Sequence, residues 1–177
     1  MEWKRTLETN RLWMRPFEES DVDAAYLWAS EPTNVRYMAW GPNDREQTLS
    51  FIQSAKPGYD FAVVLKDSGA VIGSCGIYPD AENDTATLGW ILHRDYWKCG
   101  YGTEFGTELI RYGFEDLKVR RITAYCAAVN AGSYKLMERI GMRREALHRK
   151  DFWARIDHEW IDKAVYAVLS EEYFGRE

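Results

Sequence analysis

The sequence predicts a mixed α/β fold, an α+β sheet in a single domain over residues 1–177, with mostly antiparallel strands and one central parallel pair. Three observations predict it. Hydrophobic periodicity reads as strand, two helices, several antiparallel strands, strand–helix, strand–helix and two closing strands, which is neither a repeating βαβ chain nor a bundle. A helix lies between the strand candidates Thr85–Leu92 and Arg121–Val129, so the connection crosses over and leaves them parallel. No repeat, low-complexity tract or linker interrupts the 177 residues, a length that buries a substantial core.

The first strand is Arg11–Arg15, where Leu12 and Met14 alternate with Arg11, Trp13 and Arg15 before Pro16 stops the run. Ser20 then has the character of a helix cap, with Asp23 three residues on. Val22, Ala25, Tyr26 and Ala29 make the apolar face of that helix, and Pro32 lies beyond its end. Thr33–Pro42 is irregular and aromatic. Asn43 with Glu46 starts a second helix, carried by Leu49, Ile52 and Ala55 and stopped at Pro57-Gly58. This helical pair with its aromatic loop reads either as one wall of a substrate site or as ordinary packing on the sheet.

Phe61–Leu65, the turn Asp67-Ser68-Gly69 and Ala70–Ile77 form a hairpin. Tyr78–Asp84, with Pro79, reads as an exposed loop. Thr85–Leu92 is the next strand, and it leads into Trp97-Lys98-Cys99-Gly100-Tyr101-Gly102-Thr103-Glu104. Phe105, Leu109, Ile110, Phe114 and Leu117 follow at helical spacing and put the helix end near Leu117. Arg121–Val129 is a strand that ends in Asn130-Ala131-Gly132-Ser133. A short helix with Leu136, Met137 and Ile140 comes next, and Gly141 is its left-handed stop. Met142–Leu147 and Trp160–Leu169 read as two further strands, joined by a charged aromatic connection over His148–Glu159.

The formal net charge of −5 argues against a broadly basic nucleic-acid-binding surface and is compatible with an amine or cationic substrate. Cys75, Cys99 and Cys126 have no metal-ligand spacing. Their odd number, with no secretory signal, leads us to expect reduced thiols and a cytoplasmic protein without a bound metal. No apolar run approaches the roughly 20 residues that span a bilayer, so no membrane partner is expected.

The chemistry concentrates in two places. In the first, a strand runs into Gly100-x-Gly102 at a helix start, where unpaired amides carry partial positive charge and glycine lets a phosphate approach. In the second, about thirty residues on, a strand ends in Asn130-x-x-Ser133 at another helix start. Parallel neighbours bring both helix starts to one edge of the sheet, the usual place for ligands in open α/β sheets.

This ordered pair resembles the GNAT superfamily of N-acetyltransferases, and within it the branch of bacterial ribosomal-protein N-terminal acetyltransferases of the Rim type. Thr9 to Pro16 is similar to that branch's opening. Leu88-Gly89-Trp90-Ile91-Leu92 with Tyr96 to Glu104 is similar to its cofactor motif, Asn130 to Met142 to its second site motif, and Asp162 to Leu169 to its closing strand. The resemblance covers nearly the whole chain. It implies a sheet splayed around an acyl-coenzyme A site and transfer of an acetyl group from acetyl-CoA to a primary amine, by direct attack in a ternary complex. It further implies that the pyrophosphate lies on Lys98, Cys99, Gly100, Tyr101, Gly102 and Thr103. The pantetheine would run beside Trp90, Ile91 and Leu92, with Asn130 holding that arm.

The sequence departs from the family pattern at several points. Trp97 stands where a basic residue or Gln usually opens the cofactor motif, and Lys98-Cys99-Gly100 replaces the common Gly-Lys-Gly. Met137 replaces the Tyr that protonates the departing thiolate in many members. The branch gives a Ser at the position of Ser133 a thiolate-stabilising role, and Ser133 is the catalytic candidate, against a plain helix-capping role. Cys99 is either a passive turn residue or a redox-sensitive thiol. Thr87 occupies a strand position where related enzymes often carry an acid, which leaves Glu82, Asp84 and His93 as candidate bases, each also readable as a surface residue. Tyr166 reads as a core or a cleft tyrosine. The acceptor is a protein N-terminus or a small-molecule amine, and a homodimer is left open. A non-catalytic acyl-CoA-binding module and a different nucleotide-phosphate binder are the alternatives; the latter lacks the Lys-Ser/Thr of a P-loop.

Overall fold

The crossover at the middle of the chain governs how the sheet is assembled. The computed structural model describes residues 6–175. Its strands are β1 (Leu7–Glu8), β2 (Leu12–Arg15), β3 (Asp60–Leu65), β4 (Val71–Asp80), β5 (Thr85–Leu92), β6 (Arg121–Ala127), β7 (Arg143–Ala154) and β8 (Glu159–Leu169). They form one sheet in the order β1-β2-β3-β4-β5-β6-β8-β7, antiparallel throughout except for β5–β6. The helices are α1 (Val22–Ala29), α2 (Pro32–Val35), α3 (Arg45–Ser54), α4 (Tyr101–Arg111), α5 (Ala131–Arg139) and α6 (Ser170–Phe174).

Strand alternation sorts side chains onto two faces. One face presents Phe61, Cys75, Ile77, Leu88, Ile122 and Tyr166 to Phe105 and Leu109 of α4 and to Leu136 and Met137 of α5, forming the main core. The other face presents Ile91 to a smaller cluster with Ala25 and Trp28 of α1, Val35 of α2 and Ile52 of α3. This second helical layer stops short of the sheet's centre, where Tyr78 of β4 and Tyr125 of β6 remain 47% and 55% exposed.

Several boundaries differ from the sequence reading. The α3 cap is Asp44 with Gln47, which exchange reciprocal backbone bonds, one residue later than Asn43 with Glu46. Ser20 lies inside a 3-10 turn (Glu19–Asp21) and its hydroxyl bonds to Glu18 instead of capping α1. Pro32 begins the short α2 at the first helical position, where its missing N–H costs nothing. The strands β1 and the helix α6 carry too little periodicity to be read from sequence.

β4 also runs on through Tyr78 and Pro79 to Asp80. Ile77 N–H donates to Tyr59 O, so this alternate set of β4 residues turns N–H towards β3, and the β3 ladder ends at Asp60–Gly76. The N–H that Pro79 lacks would have pointed past the end of β3, which is why a proline sits in an interior strand. The connection expected over His148–Glu159 is a long hairpin instead. β7 carries mostly exposed residues and β8 opens with two more, Glu159 and Trp160, so no alternation marks this stretch. Its register shifts between His148 and Phe152, where Lys150 N–H donates to Asp162 and Lys163 pairs with Asp151.

β4 and β5 approach so closely at Gly73 that an added Cβ would stand 2.2 Å from the Ile91 carbonyl oxygen and 2.9 Å from Leu92 Cα. Gly73→Ala is therefore expected to destabilise the fold by about 3 kcal/mol through forced strand separation, measured as a lower urea midpoint.

Candidate active site

β5 and β6 are in register only over Thr85–Arg121, Ala86–Ile122 and Thr87–Thr123. The Thr87 and Thr123 hydroxyls meet at 3.1 Å, and Thr123 Oγ1 donates to Ala86 O at 3.3 Å. Beyond this link β5 stays paired with β4 up to Leu92–Gly73 but no longer with β6. The centre of the sheet therefore opens.

The antiparallel ladder decides what faces the opening. His93 N–H donates to Ile72 O at 2.8 Å, so in steps of two Ile91 and Gly89 also spend their backbone groups on β4. Leu88, Trp90 and Leu92 turn N–H and C=O the other way, into the opening. The Leu92 carbonyl is already satisfied there, by Trp97 Nε1–H at 2.8 Å and Asn34 Nδ2–H at 3.0 Å. Asn34 Oδ1 lies beside it, buried without a partner. Trp90 is therefore the β5 residue with backbone donor and acceptor aimed into the opening between its two closed ends. Ile91 of the expected trio is not placed to touch a ligand: its side chain is in the α1–α3 cluster and its backbone belongs to β4.

At the end of the opening the chain turns into α4. Lys98 and Gly100 adopt positive φ, +62° and +85°, and Gly100 is the residue before the helix. No side chain caps it, and the first backbone bond inside the helix is Glu104 N–H to Gly100 O at 3.1 Å. The N–H groups of Tyr101, Gly102 and Thr103 thus lack helical partners and carry the positive end of the helix dipole. Gly102 has a packing reason as well: an added Cβ would meet Leu136 Cδ2 at 3.0 Å, and at Gly106 it would meet Ile140 Cδ1 at 3.1 Å. These two glycines let α4 and α5 come together. Gly100 is the one that the turn's backbone requires.

Arg11 holds this turn from the bend just before β2, a role that alternation alone did not reveal. Its Nε binds Glu104 Oε2 at 2.7 Å, its Nη1 donates to Cys99 O at 3.1 Å, and its guanidinium lies 4.4 Å over the Tyr101 ring. Thr9 Oγ1 and the Arg11 amide both donate to Glu104 Oε1, at 2.6 and 2.7 Å. Partial burial raises the Glu104 pKa, but these hydrogen bonds and the Arg11 charge outweigh it and hold the carboxyl below its ordinary value. The signal in sequence was an acid in the first turn of the helix, facing the Thr9-x-Arg11 segment.

Across the opening, Asn130 caps α5. Its Oδ1 accepts from Ser133 N–H at 3.3 Å, and its Nδ2 donates to Ser133 Oγ at 3.2 Å. The Ser133 hydroxyl oxygen is thereby occupied as an acceptor, which leaves its proton to be donated elsewhere. Met137 is in the main core. So is Tyr166, whose hydroxyl donates to Glu138 Oε1 at 3.1 Å; burial and that carboxylate push its pKa up to about 12.

The other candidates are divided between the far end of β5 and the turn itself. Glu82 and Asp84 precede β5 at its far end, and from Asp84 to Trp90 the strand rises about 20 Å. Asp84 there accepts through its carbonyl from Arg120 N–H. His93 Nδ1 accepts from Asp95 N–H at 3.2 Å, and its ring meets the Tyr96 ring edge-on. Cys75 and Cys126 are buried, and burial raises both thiol pKa values, that of Cys126 to about 11. Cys99 is exposed on the turn, its thiol 3.5 Å from Trp97 O. Among the described residues no group of acidic, His or Cys side chains is arranged to hold a metal ion, and no helix is long and apolar enough to cross a membrane.

The splayed parallel pair, the uncapped helix after a glycine turn and the second helix start across the opening can be compared with known proteins. The model of the acetyltransferase (GNAT) domain matches residues 11–143. The chain belongs to the GNAT acetyltransferases. It is 32% identical to the N-acetyltransferase YnaD of Bacillus subtilis, over 94% of this chain and 98% of that protein. It is 31% identical to a GNAT-family acetyltransferase from Bacillus anthracis, with a TM-score of 0.88 over 94% of this chain and 99% of the other. The ribosomal-protein acetyltransferase RimL in complex with coenzyme A shares the fold, with a TM-score of 0.82 at 16% identity over 94% and 99% of the two chains.

The Glu104 network makes a pH-dependent contribution to stability. Its folded pKa lies below the unfolded value of about 4.3, so the stabilisation is complete above that pH and is lost as pH falls through the folded value. Glu104→Gln is expected to lower Tm at pH 7, and the gap to the parent protein should close as pH is lowered below about 4. A gap that stays constant with pH would remove this role.

Proposed function

We propose that this acetyltransferase moves an acetyl group from acetyl-CoA to a primary amine, of a protein N-terminus or a small molecule, by direct attack in a ternary complex. The observation that carries the reading is the meeting, in one opening, of three uncapped helix amides, a strand edge with free backbone polarity and a serine whose proton is available. The amides of Tyr101, Gly102 and Thr103, with Lys98, Cys99 and Gly100 shaping the turn, would hold the pyrophosphate. Trp90 N–H and C=O would hold the pantetheine amides as an added strand would, while Leu92 serves through its N–H alone because its carbonyl is taken. Asn130 keeps one Nδ2 proton and one Oδ1 lone pair for the same arm.

Acetyl-CoA supplies the acetyl thioester: an N–C bond forms, the C–S bond breaks, and the amine gives up a proton. Ser133 would donate a hydrogen bond from its hydroxyl to the departing sulfur while Asn130 Nδ2 holds the Ser133 oxygen, and the thiolate would take its proton from solvent. Among the groups bordering the opening none is an obvious base, and the proton of the amine would leave to water. A Cys-acyl route is disfavoured, because burial keeps the Cys75 and Cys126 thiols protonated and the Cys99 thiol donates to the Trp97 carbonyl, which is no base.

The test is release of free thiol from acetyl-CoA across a panel of amines. Ser133→Ala is expected to lower kcat on the order of 100-fold while leaving CoA affinity nearly unchanged; an unaltered kcat would remove the proposed stabilisation of the leaving sulfur. Gly100→Asp places a carboxylate at the anion cradle and is expected to weaken CoA binding about 10-fold, at a backbone cost of about 1–2 kcal/mol for the left-handed turn. Undiminished affinity would move the phosphate site elsewhere. CoA binding with no transfer to any amine would instead assign an acyl-CoA-binding module.

A further inference from the structure

On the face of the sheet opposite α4 and α5, the opening is bordered by residues that the proposed reaction does not use. Tyr78 of β4 folds back over Gly76: a Cβ added there would lie 2.4 Å from Tyr78 Oη and 2.7 Å from its Cζ. The Tyr78 hydroxyl donates to Asp60 Oδ1 at 2.8 Å, and Asp60 is the register partner of Gly76 on β3. On the other side Gly76 pairs with Gly89 of β5, whose added Cβ would meet Tyr78 Cε2 at 3.5 Å. The phenol ring therefore rests in a shallow bed of two glycines on adjacent strands. Burial of the hydroxyl and the Asp60 charge raise the Tyr78 pKa, which keeps it a donor and excludes it as a base.

This bed is beside the reacting edge. Gly89 adjoins Trp90, whose backbone faces the opening, and Tyr78 is the register partner of Thr87, which closes the opening through Thr123. Tyr125 follows Thr123 by two residues and so lies on the same face, on the β6 side of the opening. Two half-exposed tyrosines thus flank a floor without a side chain. The face behind β5 is filled by the main core, so an acceptor enters from the tyrosine side. The two rings differ in one respect. Tyr125 carries Lys163 Nζ at 5.6 Å over its ring, whereas among the described residues no cation stands over Tyr78.

We infer that the acceptor is an amine carrying a second positive charge, with that charge resting on the Tyr78 ring beside Asp60 while the reacting nitrogen lies in the opening near Trp90. The inference rests on the acetyl-transfer reading and narrows its substrate class. A ring whose hydroxyl is bonded to a carboxylate is electron-rich and attracts a cation to its face. The Asp60 carboxylate adds a full negative charge at the ring's edge. The ring lies over β4 and the reacting edge is the far side of β5, so the two nitrogens are separated by one to two strand spacings, about 5–10 Å. A short diamine, or a peptide amine with a basic side chain close behind it, has this spacing.

The test compares kcat/KM for a linear diamine and for the monoamine of equal chain length, in the parent protein, Tyr78→Phe and Tyr78→Leu. The parent protein is expected to prefer the diamine. Tyr78→Leu should reduce the diamine-to-monoamine ratio about 3- to 30-fold, mainly through KM, and Tyr78→Phe should keep most of the preference because the ring remains. Calorimetric binding of the diamine to the protein–CoA complex should weaken in the same order. Equal use of the two amines, or a ratio that Tyr78→Leu leaves unchanged, overturns the inference while acetyl transfer stands. Diamine binding that depends on Tyr78 with no transfer to either amine upholds this site and sinks the acetyl-transfer reading. No transfer and no diamine binding sink both.

Discussion

The parting of two parallel strands after a three-residue ladder is the constraint on which the rest of this molecule depends. A parallel pair in the middle of a sheet normally satisfies its backbone along its whole length. Here the Thr87–Thr123 hydroxyl pair closes the ladder, and Leu88 to Leu92 keep β4 as their one strand partner. Polar backbone is left facing an opening at the centre of the fold, which is costly unless something answers it. At one end the protein answers it itself, since Trp97 and Asn34 both donate to Leu92 O. At Trp90 it leaves the groups facing the opening, where the proposed acyl donor would pair with them as an added strand.

The glycine turn is legible in the same terms. A helix start without a capping side chain forgoes a contribution of about 1 kcal/mol, and the chain spends several contacts to hold that start rigid. Arg11 grips Glu104, the Cys99 carbonyl and the Tyr101 ring at once, and Thr9 shares the Glu104 carboxylate. A partly exposed ion pair alone would contribute little. Here the pair is reinforced by backbone and hydroxyl donors, so it fixes the geometry of the turn. Trp97, which departs from the family pattern, acts at the other end of this turn through its indole N–H. The departure thus exchanges a charged or amide side chain for one that seals the strand end.

The sequence made the parallel pair, the glycine turn and the second helix start visible because each has a local signature: a crossover helix, Gly before an amphipathic run, and an Asn-x-x-Ser cap. It hid whatever depends on register. The expectation that Trp90, Ile91 and Leu92 act together treats neighbours in a strand as equivalent, whereas alternation gives Ile91 to the opposite face and its backbone to β4. Glu82 and Asp84 are close to β5 in sequence but precede its far end, and Asp84 lies about 20 Å from Trp90 because a strand is extended. Tyr78, read as part of a loop on account of Pro79, belongs to β4, since the proline falls where β3 has already ended. Gly102 was legible as a glycine but not for its neighbour: the contact with Leu136 is tertiary.

The same register argument separates donor from acceptor chemistry. Residues that would meet the acyl donor are backbone groups of β5 and α4, or the Asn130–Ser133 cap, and their positions follow from main-chain geometry. Those facing the acceptor are side chains on the open half of the other face, where Tyr78 and Tyr125 flank Gly89. That half is bounded by α2 on one side and by the β7–β8 hairpin on the other, and Arg36 binds Asp157 through two contacts of 3.0 Å to tie the two together. Side chains there can change without disturbing the strand edge or the helix start. A fold that fixed the donor by its backbone and the acceptor by exposed side chains would keep one chemistry while its choice of acceptor was free to vary, and in this chain the proposed amine would leave that choice to an aromatic ring and a carboxylate on β4 and β3.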